Sequence, residues 1–209
     1  MGSPPARVGR PVDGDSDVTR RRIVAAARVR FARDGYRATT NKLIAADVGI
    51  TPAAIYHYVE SKAALYAAVY CDTIERVYDE FEKAAAAEDH LLARYSAVLR
   101  RANDLQAEDG SISGFIVAVA QETQRNPALL ALIEPQRGRH QRFFAGLVAD
   151  AEANGELEPD VDGAGLADLL GAVLTGLARM ANIAGDTRRY TAAVDVLERF
   201  FDGSLVRAR

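Results

Sequence analysis

The sequence predicts an all-α fold of about nine helices. No segment alternates apolar and polar residues with the period of two that a half-buried strand requires. Apolar residues instead recur every three or four positions through most of the chain, which is the spacing of one helix face. Turn-forming pairs such as Asp109-Gly110, Asn126-Pro127 and Gly185-Asp186 separate these stretches. With 209 residues, 49% of them hydrophobic, the chain can bury a sizeable core.

The chain is predicted to begin with an arm and a first helix. Residues 1–16 are rich in Pro, Gly and charge, a composition typical of flexible segments. The first helix is expected from about 17 to 34, and it should stop at Gly35. Its stripe of Ile23, Ala27 and Phe31 would cover the back of the elements that follow.

Residues 39–65 read as a short helix, a tight turn and a second short helix. Ile44 and Val48 lie on one apolar face, and Gly49 can adopt the left-handed conformation in which helices often end. Thr51 and Pro52 then resemble an N-cap and a first helical residue. Two helices joined in this way form a helix-turn-helix, the motif whose second helix enters the DNA major groove.

The surface of this second helix favours DNA binding. Tyr56, His57 and Tyr58 are consecutive, so a helix of about two turns cannot bury all three. Ile55 and Val59 are four residues apart and form the natural inward pair. The polar aromatic side chains are therefore expected to face outward.

Lys62 adds a second indication. It follows Ser61, a predicted N-cap, so its charge lies in the first turn of the next helix, where the helix dipole disfavours a cation. A DNA phosphate at that terminus would compensate the charge and meet free backbone N–H groups.

These residues resemble the DNA-binding domain of the TetR (tetracycline-repressor-like) family of bacterial transcription regulators. The similarity covers about thirty of the 209 residues. Where the family commonly has His and Phe, this chain has Tyr58 and Val59. The matching residues are Gly35-Tyr36, Thr39-Thr40, Ile44-Ala45, Val48-Gly49-Ile50-Thr51, Ile55-Tyr56-His57-Tyr58, Ser61-Lys62 and Leu65.

The resemblance implies a homodimer that binds an inverted-repeat DNA operator and is released by a small-molecule effector. It implies an arm at 1–16, a three-helix DNA-binding domain at 17–65 and a ligand-binding and dimerisation domain at 66–209. Phosphate contacts are expected from Thr40, Tyr56, Tyr58 and Lys62. Base-edge contacts are expected from Asn41, Thr51, Pro52, Ala53 and His57.

Charge is unevenly distributed in a way that suits this interpretation. Residues 1–66 contain eleven Lys/Arg and six Asp/Glu, a net charge of +5. Residues 67–209 contain fifteen and twenty-three, a net charge of −8. A basic N-terminal third on an acidic body is typical of a protein that docks one end on phosphates, although chance variation of surface charge gives the same pattern in some proteins.

The rest of the chain is predicted to form six further helices. A long helix over 61–87 would be shared by the two domains, so that movement at its far end would move the DNA-binding elements. The others are expected at 90–106, 113–124, 127–153, 162–184 and 190–206, with a break in the third of these near Pro135 and Gly138.

An effector cavity is expected among helices of the second domain. Aromatic residues at helical spacing are more often core than pocket, so these assignments are weak individually. The effector is expected to be largely apolar, such as a fatty acid or an aromatic compound, and polar groups inside the cavity would orient it. The candidate lining residues are Tyr70, Tyr95, Phe115, Gln121, Glu122, Arg142 and Phe143.

The last two helices are the expected dimer interface. Both carry more apolar residues than one packed face needs, and palindromic DNA reading requires two recognition elements about 34 Å apart. Packing within one chain is the alternative explanation. The candidate contacts are Leu170, Leu174, Leu177, Leu197, Phe200 and Phe201.

Other classes of function are disfavoured. The three histidines lack His or Cys partners at metal-ligand spacing, so no metal, cofactor or catalytic centre is expected. A single cysteine, no secretory leader and no apolar run approaching 18 residues indicate a cytoplasmic protein without a membrane partner. The alternatives left open are a ligand-binding helical protein without DNA binding and, least favoured, an enzyme.

Overall fold

The computed structural model describes residues 13–184 and 187–205. These residues form eight α-helices and one 3₁₀ turn, with no strand among them, which confirms the all-α prediction. The helices are α1 (Asp13–Ala38), α2 (Asn41–Val48), α3 (Lys62–Ala86), α4 (Leu91–Glu108), α5 (Ser111–Arg125), α6 (Pro127–Ala153), α7 (Gly163–Ala184) and α8 (Thr187–Phe201), and the 3₁₀ turn is Ala54–His57.

Some helix boundaries differ from the prediction. The expected arm at 1–16 lies mostly outside the described residues, but its last four residues, 13–16, belong to α1. The helical dihedral angles of α1 are interrupted at Gly35, where φ is 76°, a conformation open to glycine. The predicted break in α6 is absent, because the helix continues through Pro135 and Gly138. The last helix begins earlier and ends at Phe201.

One continuous core joins the N-terminal helices to the rest of the chain. Helix α1 packs on α2, α3 and α5, while α3 also packs on α4 and α6. The predicted stripe of Ile23, Ala27 and Phe31 is fully buried. The Phe31 ring meets the Tyr66 ring of α3 edge to face, with centroids 4.9 Å apart, and Tyr66 meets Phe115 of α5 in the same way at 5.2 Å. Such aromatic contacts add stability beyond area burial and make the two parts one packed body.

A buried arginine reinforces this junction. The Arg28 side chain of α1 is almost fully enclosed, and it donates from Nη2 to the Asp109 carboxylate at 2.5 Å and from Nε to the Ser111 hydroxyl at 3.1 Å. Asp72 of α3 lies 3.8 Å from its Nη1. A buried guanidinium needs such partners because desolvating an unpaired charge is very costly. Arg28 therefore ties α1 to both α3 and the α4–α5 turn.

Candidate nucleic-acid interface and ligand-binding domain

Helix α2 has the start and end that its sequence predicts. The Thr40 hydroxyl accepts a hydrogen bond from Leu43 N at 3.3 Å, so Thr40 is the N-cap. Gly49 follows the helix with φ 73°, and the backbone turns so that Ile50 N donates to Ala45 O at 3.0 Å. This is the left-handed helix ending that favours glycine.

The second element of the motif is shorter than predicted. The expected two-turn helix is the single 3₁₀ turn Ala54–His57, preceded by Thr51, whose hydroxyl accepts from Ala54 N at 3.1 Å. Only eleven residues separate Gly49 from the Ser61 cap, and the cap and turn residues at both ends leave little room for helix. Ile55 and Val59 are buried as the inward pair, which confirms that part of the prediction.

Most of the predicted DNA-contacting residues are exposed around this turn. Tyr56 is 60% exposed. Tyr58 is half-buried and packs against the core, so its ring is less available than predicted. The other exposed residues of the predicted set are Thr40, Thr51, Pro52, Ala53 and His57.

Asn41 corrects the prediction. It is only 8% exposed, and its Oδ1 is buried without a hydrogen-bond partner. At the first position of α2 its side chain lies inward, while Thr40 before it and Lys42 after it are exposed. The structure does not present Asn41 at the surface that would meet base edges.

Lys62 has partners within the chain. Ser61 is the N-cap of α3, as predicted, with its hydroxyl accepting from Ala64 N at 3.0 Å. The Lys62 ammonium donates to Tyr36 O at 2.9 Å and to Thr39 O at 3.1 Å, and it lies 4.3 Å from the centre of the Tyr36 ring. These contacts compensate a cation at a helix N-terminus without a phosphate, and they leave one ammonium N–H for another partner.

The basic residues of the N-terminal third divide into two groups. Arg30 pairs with Asp47 at 2.6 Å, which links α1 to α2, and Asp34 pairs with both Arg30 and Arg33. These arginines hold the pKa of Asp34 at about 2, with Arg33 the larger cause. Arg37 and Lys42 are exposed and carry no recorded ion pair within the described residues. The sequence analysis did not single out these two cations beside Thr40.

The predicted cavity residues separate into core and surface. Tyr70, Tyr95, Phe115 and Phe143 are buried. The Tyr95 hydroxyl donates to Leu170 O at 2.7 Å, so that ring is fixed by the core.

The three polar members of the predicted set do not line one cavity. Gln121 and Arg142 are exposed, which corrects their predicted inward orientation, because both lie on the outer faces of their helices. Glu122 is half-buried beside Tyr66. Burial first, and then the Glu122 carboxylate, raise the pKa of Tyr66.

Two clefts open in the second domain. One, of about 500 Å³, lies between α3 and α6 and includes Arg142 and Phe143. The other, of about 550 Å³, lies between α6 and α7. It is lined by His140, Gln141, Phe144, Ala167, Asp168, Gly171, Ala172, Thr175, Gly176 and Arg179.

A buried polar pair stands at the α6–α7 cleft. The Tyr78 hydroxyl of α3 is 2.6 Å from His140 Nδ1 of α6. Burial raises the pKa of Tyr78, and burial lowers the pKa of His140 although Asp168 acts in the opposite direction. The sequence does not predict this pair, since nothing in the spacing of His140 shows that Tyr78, 62 residues earlier, is its partner.

Two of the predicted dimer residues, Leu170 and Leu174, need correction. Leu170 and Leu174 are buried in the chain's own core, and Leu177, Leu197 and Phe201 are half-buried against it. Phe200 is 64% exposed. The large apolar residues that remain exposed on α7 and α8 are Leu169, Ile183, Val196 and Phe200, which we call the α7–α8 apolar face.

Helix α7 is unusually apolar for a helix so little covered. Gly163–Ile183 has a mean hydropathy of 1.3, and only 22% of this apolar stretch is buried. By length and composition alone it could span a membrane, as could an apolar helix that packs against other protein surfaces. Its only charged residues are Asp168 and Arg179.

The helix-turn-helix, its exposed aromatic turn and the helical body packed behind it define a class: helical DNA-binding transcription regulators. The chain belongs to the tetR family of bacterial regulatory proteins. Residues 23–69 match the family model of that description, and residues 87–197 match the tetracyclin repressor-like C-terminal domain. Members of this family are regulators, in agreement with the prediction that the chain is not an enzyme.

Individual relatives support the same assignment. The chain is 27% identical over 159 residues to the HTH-type transcriptional regulator UidR of Escherichia coli, covering 75% of this chain and 78% of UidR. Salmonella enterica GusR has a similar structure, with a TM-score of 0.69, 26% identity, and coverage of 90% of this chain and 95% of GusR. A TetR transcriptional regulator from Chloroflexus aurantiacus is also similar, with a TM-score of 0.76 and 26% identity. The match covers 90% of this chain and 96% of that regulator.

Proposed function

We propose that the chain is a ligand-responsive repressor that binds an inverted-repeat operator as a homodimer in the cytoplasm. The observation that carries the DNA-binding part is the exposed turn: Tyr56 and His57 project from it directly after exposed Thr51, Pro52 and Ala53. Solvent exposure alone does not explain two adjacent polar aromatic side chains at this position. DNA phosphates and base edges would give both of them hydrogen-bond partners.

The proposed contacts follow the exposure of each side chain. Thr40, Tyr56 and the half-buried Tyr58 would donate to phosphates, and Thr51 and His57 would face base edges. Pro52 and Ala53 offer only apolar contact, which suits thymine methyl groups. Arg37 and Lys42 join the phosphate set as exposed cations.

The homodimer proposal rests on the α7–α8 apolar face. Four large apolar side chains exposed on two adjacent helices form a surface that single soluble chains usually cover. A two-fold axis through this face would pair α7 and α8 with the same helices of a second copy. The exposed Ala54–His57 turns of the two copies could then contact the two halves of one palindromic site. We propose residues 17–65 as the DNA-binding domain and 66–209 as the domain for ligand and dimer contacts.

Selection of bound sequences from a pool of random duplexes tests DNA binding. We expect an inverted repeat whose half-site centres are one helical turn or a multiple of it apart. Tyr56→Ala should weaken every selected sequence, while Leu92→Ala, an exposed change on α4, should leave binding unchanged. Failure to enrich any duplex would favour the alternative, a ligand-binding protein of this fold without DNA binding.

Effector control is tested by linkage. The effector is proposed to be largely apolar, since Phe143 and Leu147 wall one cleft and Phe144 walls the other. A compound that releases DNA must bind more weakly in the presence of saturating operator. Its affinity must fall by the same factor by which it lowers operator affinity, typically about 5- to 150-fold. Equal ligand affinity with and without operator would contradict release by that compound.

A further inference from the structure

The α6–α7 cleft has a polar arrangement that a purely apolar effector would not use. Along α7 the cleft meets Asp168, Thr175 and Arg179, and from α6 it meets His140 and the exposed Gln141. Between these groups the walls are small or apolar, with Phe144 and Ala167 among them. Polar groups placed separately in an apolar cleft usually orient a ligand and set its specificity.

His140 presents an N–H donor at this cleft. Tyr78 is buried, and His140 Nδ1 is the hydrogen-bond partner recorded for its hydroxyl among the described residues. A buried hydroxyl keeps its proton in a hydrogen bond, so Tyr78 donates to Nδ1. Since His140 is neutral when Nδ1 accepts, its proton is on Nε2.

Gly171 allows this nitrogen to reach the cleft. A Cβ at position 171 would lie 2.6 Å from His140 Nε2 and 3.3 Å from Phe144 Cδ2, too close for either contact. Glycine therefore leaves the space that the imidazole edge occupies beside α7. Because glycine has no side chain, position 171 does not block His140 Nε2 from the cleft.

The charges on α7 are separated along the helix. Asp168 lies one turn before Gly171 and its charge acts on His140, so this end of the cleft has an acceptor as well as the His140 donor. Arg179 lies eight residues after Gly171, about 12 Å along the axis at 1.5 Å per residue, with the Thr175 hydroxyl between them. One end of the cleft thus offers a neutral donor and an acceptor, and the other end offers a cation.

We propose that this cleft binds an elongated organic acid that carries a hydroxyl group at the end remote from its carboxylate. The carboxylate pairs with Arg179 and Thr175. The hydroxyl accepts a hydrogen bond from His140 Nε2 and donates one to Asp168, while the chain between them lies against Phe144 and Ala167. This assignment rests on the proposed function in that it identifies the effector class.

Three probes of equal chain length test each end separately: 8-hydroxyoctanoate, octanoate and octane-1,8-diol, titrated into the full chain by calorimetry. The expected order has 8-hydroxyoctanoate binding most tightly. Arg179→Gln should weaken both acids about fivefold and leave the diol unchanged. Asp168→Asn should weaken 8-hydroxyoctanoate and the diol about fivefold and leave octanoate unchanged. Both residues are exposed, so these variants are expected to fold.

Two glycine variants locate the site. Gly171→Ala should abolish the preference for hydroxyl-bearing probes, because it displaces His140. Gly146→Ala, which meets nothing within 4 Å on α6, is the matched control and should bind like the original chain. In the original chain, the ¹⁵N signal of His140 Nε2 should shift with 8-hydroxyoctanoate and stay in place with octanoate.

The proposal is overturned if none of the probes binds at millimolar concentration, or if Asp168→Asn and Arg179→Gln affect all three probes equally. Operator release is measured separately with the same probes. Probe binding with the expected pattern but no effect on the operator would support the cleft and contradict the effector role. DNA binding without probe recognition would contradict the cleft assignment and leave the proposed DNA binding supported.

Discussion

Lys62 shows how one side chain can hold a DNA-binding motif in place. Its ammonium joins the start of α3 to two carbonyl oxygens of the segment between α1 and α2, and it lies over the Tyr36 ring. The three N-terminal helices meet at this point. The cation that the sequence analysis assigned to a phosphate is thus accounted for within the fold, and its first effect should be on stability.

Replacing Lys62 by methionine tests this. Lys62→Met keeps the apolar stem but leaves Tyr36 O and Thr39 O without their donor, so the free energy of unfolding should fall by about 1–2 kcal/mol. Urea denaturation without DNA measures the loss. Lys83→Met, at an exposed ion pair near the other end of α3, should leave stability nearly unchanged.

Salt dependence separates this role from phosphate binding. The slope of log affinity against log salt should stay unchanged in Lys62→Met and should fall by about one unit in Lys42→Gln, whose side chain is exposed. A one-unit fall for Lys62→Met would show that its remaining N–H does bind a phosphate.

At the scale of helices, the proposed dimer depends on which face α7 leaves exposed. Leu174 and Leu170 point into the chain's own core, whereas Leu169 lies on the opposite side of the same helix and is exposed. Consecutive residues of a helix face different directions, so one residue can lie in the core while its neighbour lies on the proposed interface.

The two sides of α7 and α8 should respond differently to substitution. Leu169→Glu and Phe200→Glu should give folded monomers that no longer bind operator, because the charges lie on the α7–α8 apolar face. Leu174→Ala should lower the free energy of unfolding by about 2–5 kcal/mol, since it empties a core position. Sedimentation and circular dichroism measure both effects, and Leu92→Glu is the exposed control. A native dimer in both glutamate variants would place the interface elsewhere.

Sequence periodicity predicted helices well and helix faces less well. The long α3, predicted over 61–87, spans Lys62–Ala86 because Ser61 caps it and one apolar stripe runs its whole length. On α7 apolar residues occur nearly all round, so periodicity could not tell Leu169 from Leu170. Pairs distant in sequence, such as Tyr78 with His140 or Arg28 with Asp109, depend on the packing of helices and leave no local signal.

For the whole molecule, the ion pair of Arg28 with Asp109 is the polar connection between the N-terminal helices and the α4–α5 turn. Burial alone would raise the pKa of Asp109, but hydrogen bonds from Ser111 and the charge of Arg28 outweigh it and hold that pKa below 3.8. Its stabilising effect is therefore present above pH 3.8 and is lost as the pH falls further through the folded-state pKa.

Asp109→Asn should lower the free energy of unfolding by about 3 kcal/mol at pH 7, because a buried guanidinium loses its closest charge. The variant should also lose less stability than the original chain as the pH falls below 3.8. Asp150→Asn removes the looser and more exposed pair with Arg94 and should change stability little. Equal losses in the two variants would show that Arg28 is adequately held by Asp72 and Ser111.

The Arg28 connection also limits how the chain can be recombined. Regulators of this layout invite exchange of the DNA-reading part between relatives, so that one sensor controls another promoter. A cut near position 65 would separate Arg28 from Asp72, Asp109 and Ser111. If the relative that supplies the C-terminal part has apolar residues at those three positions, the hybrid would bury an unpaired guanidinium. If the relative that supplies the N-terminal part lacks the arginine, the carboxylates would lose their cationic partner. Working hybrids should therefore transfer these four positions as a set, even though two of them, Asp109 and Ser111, lie far beyond the junction in the sequence.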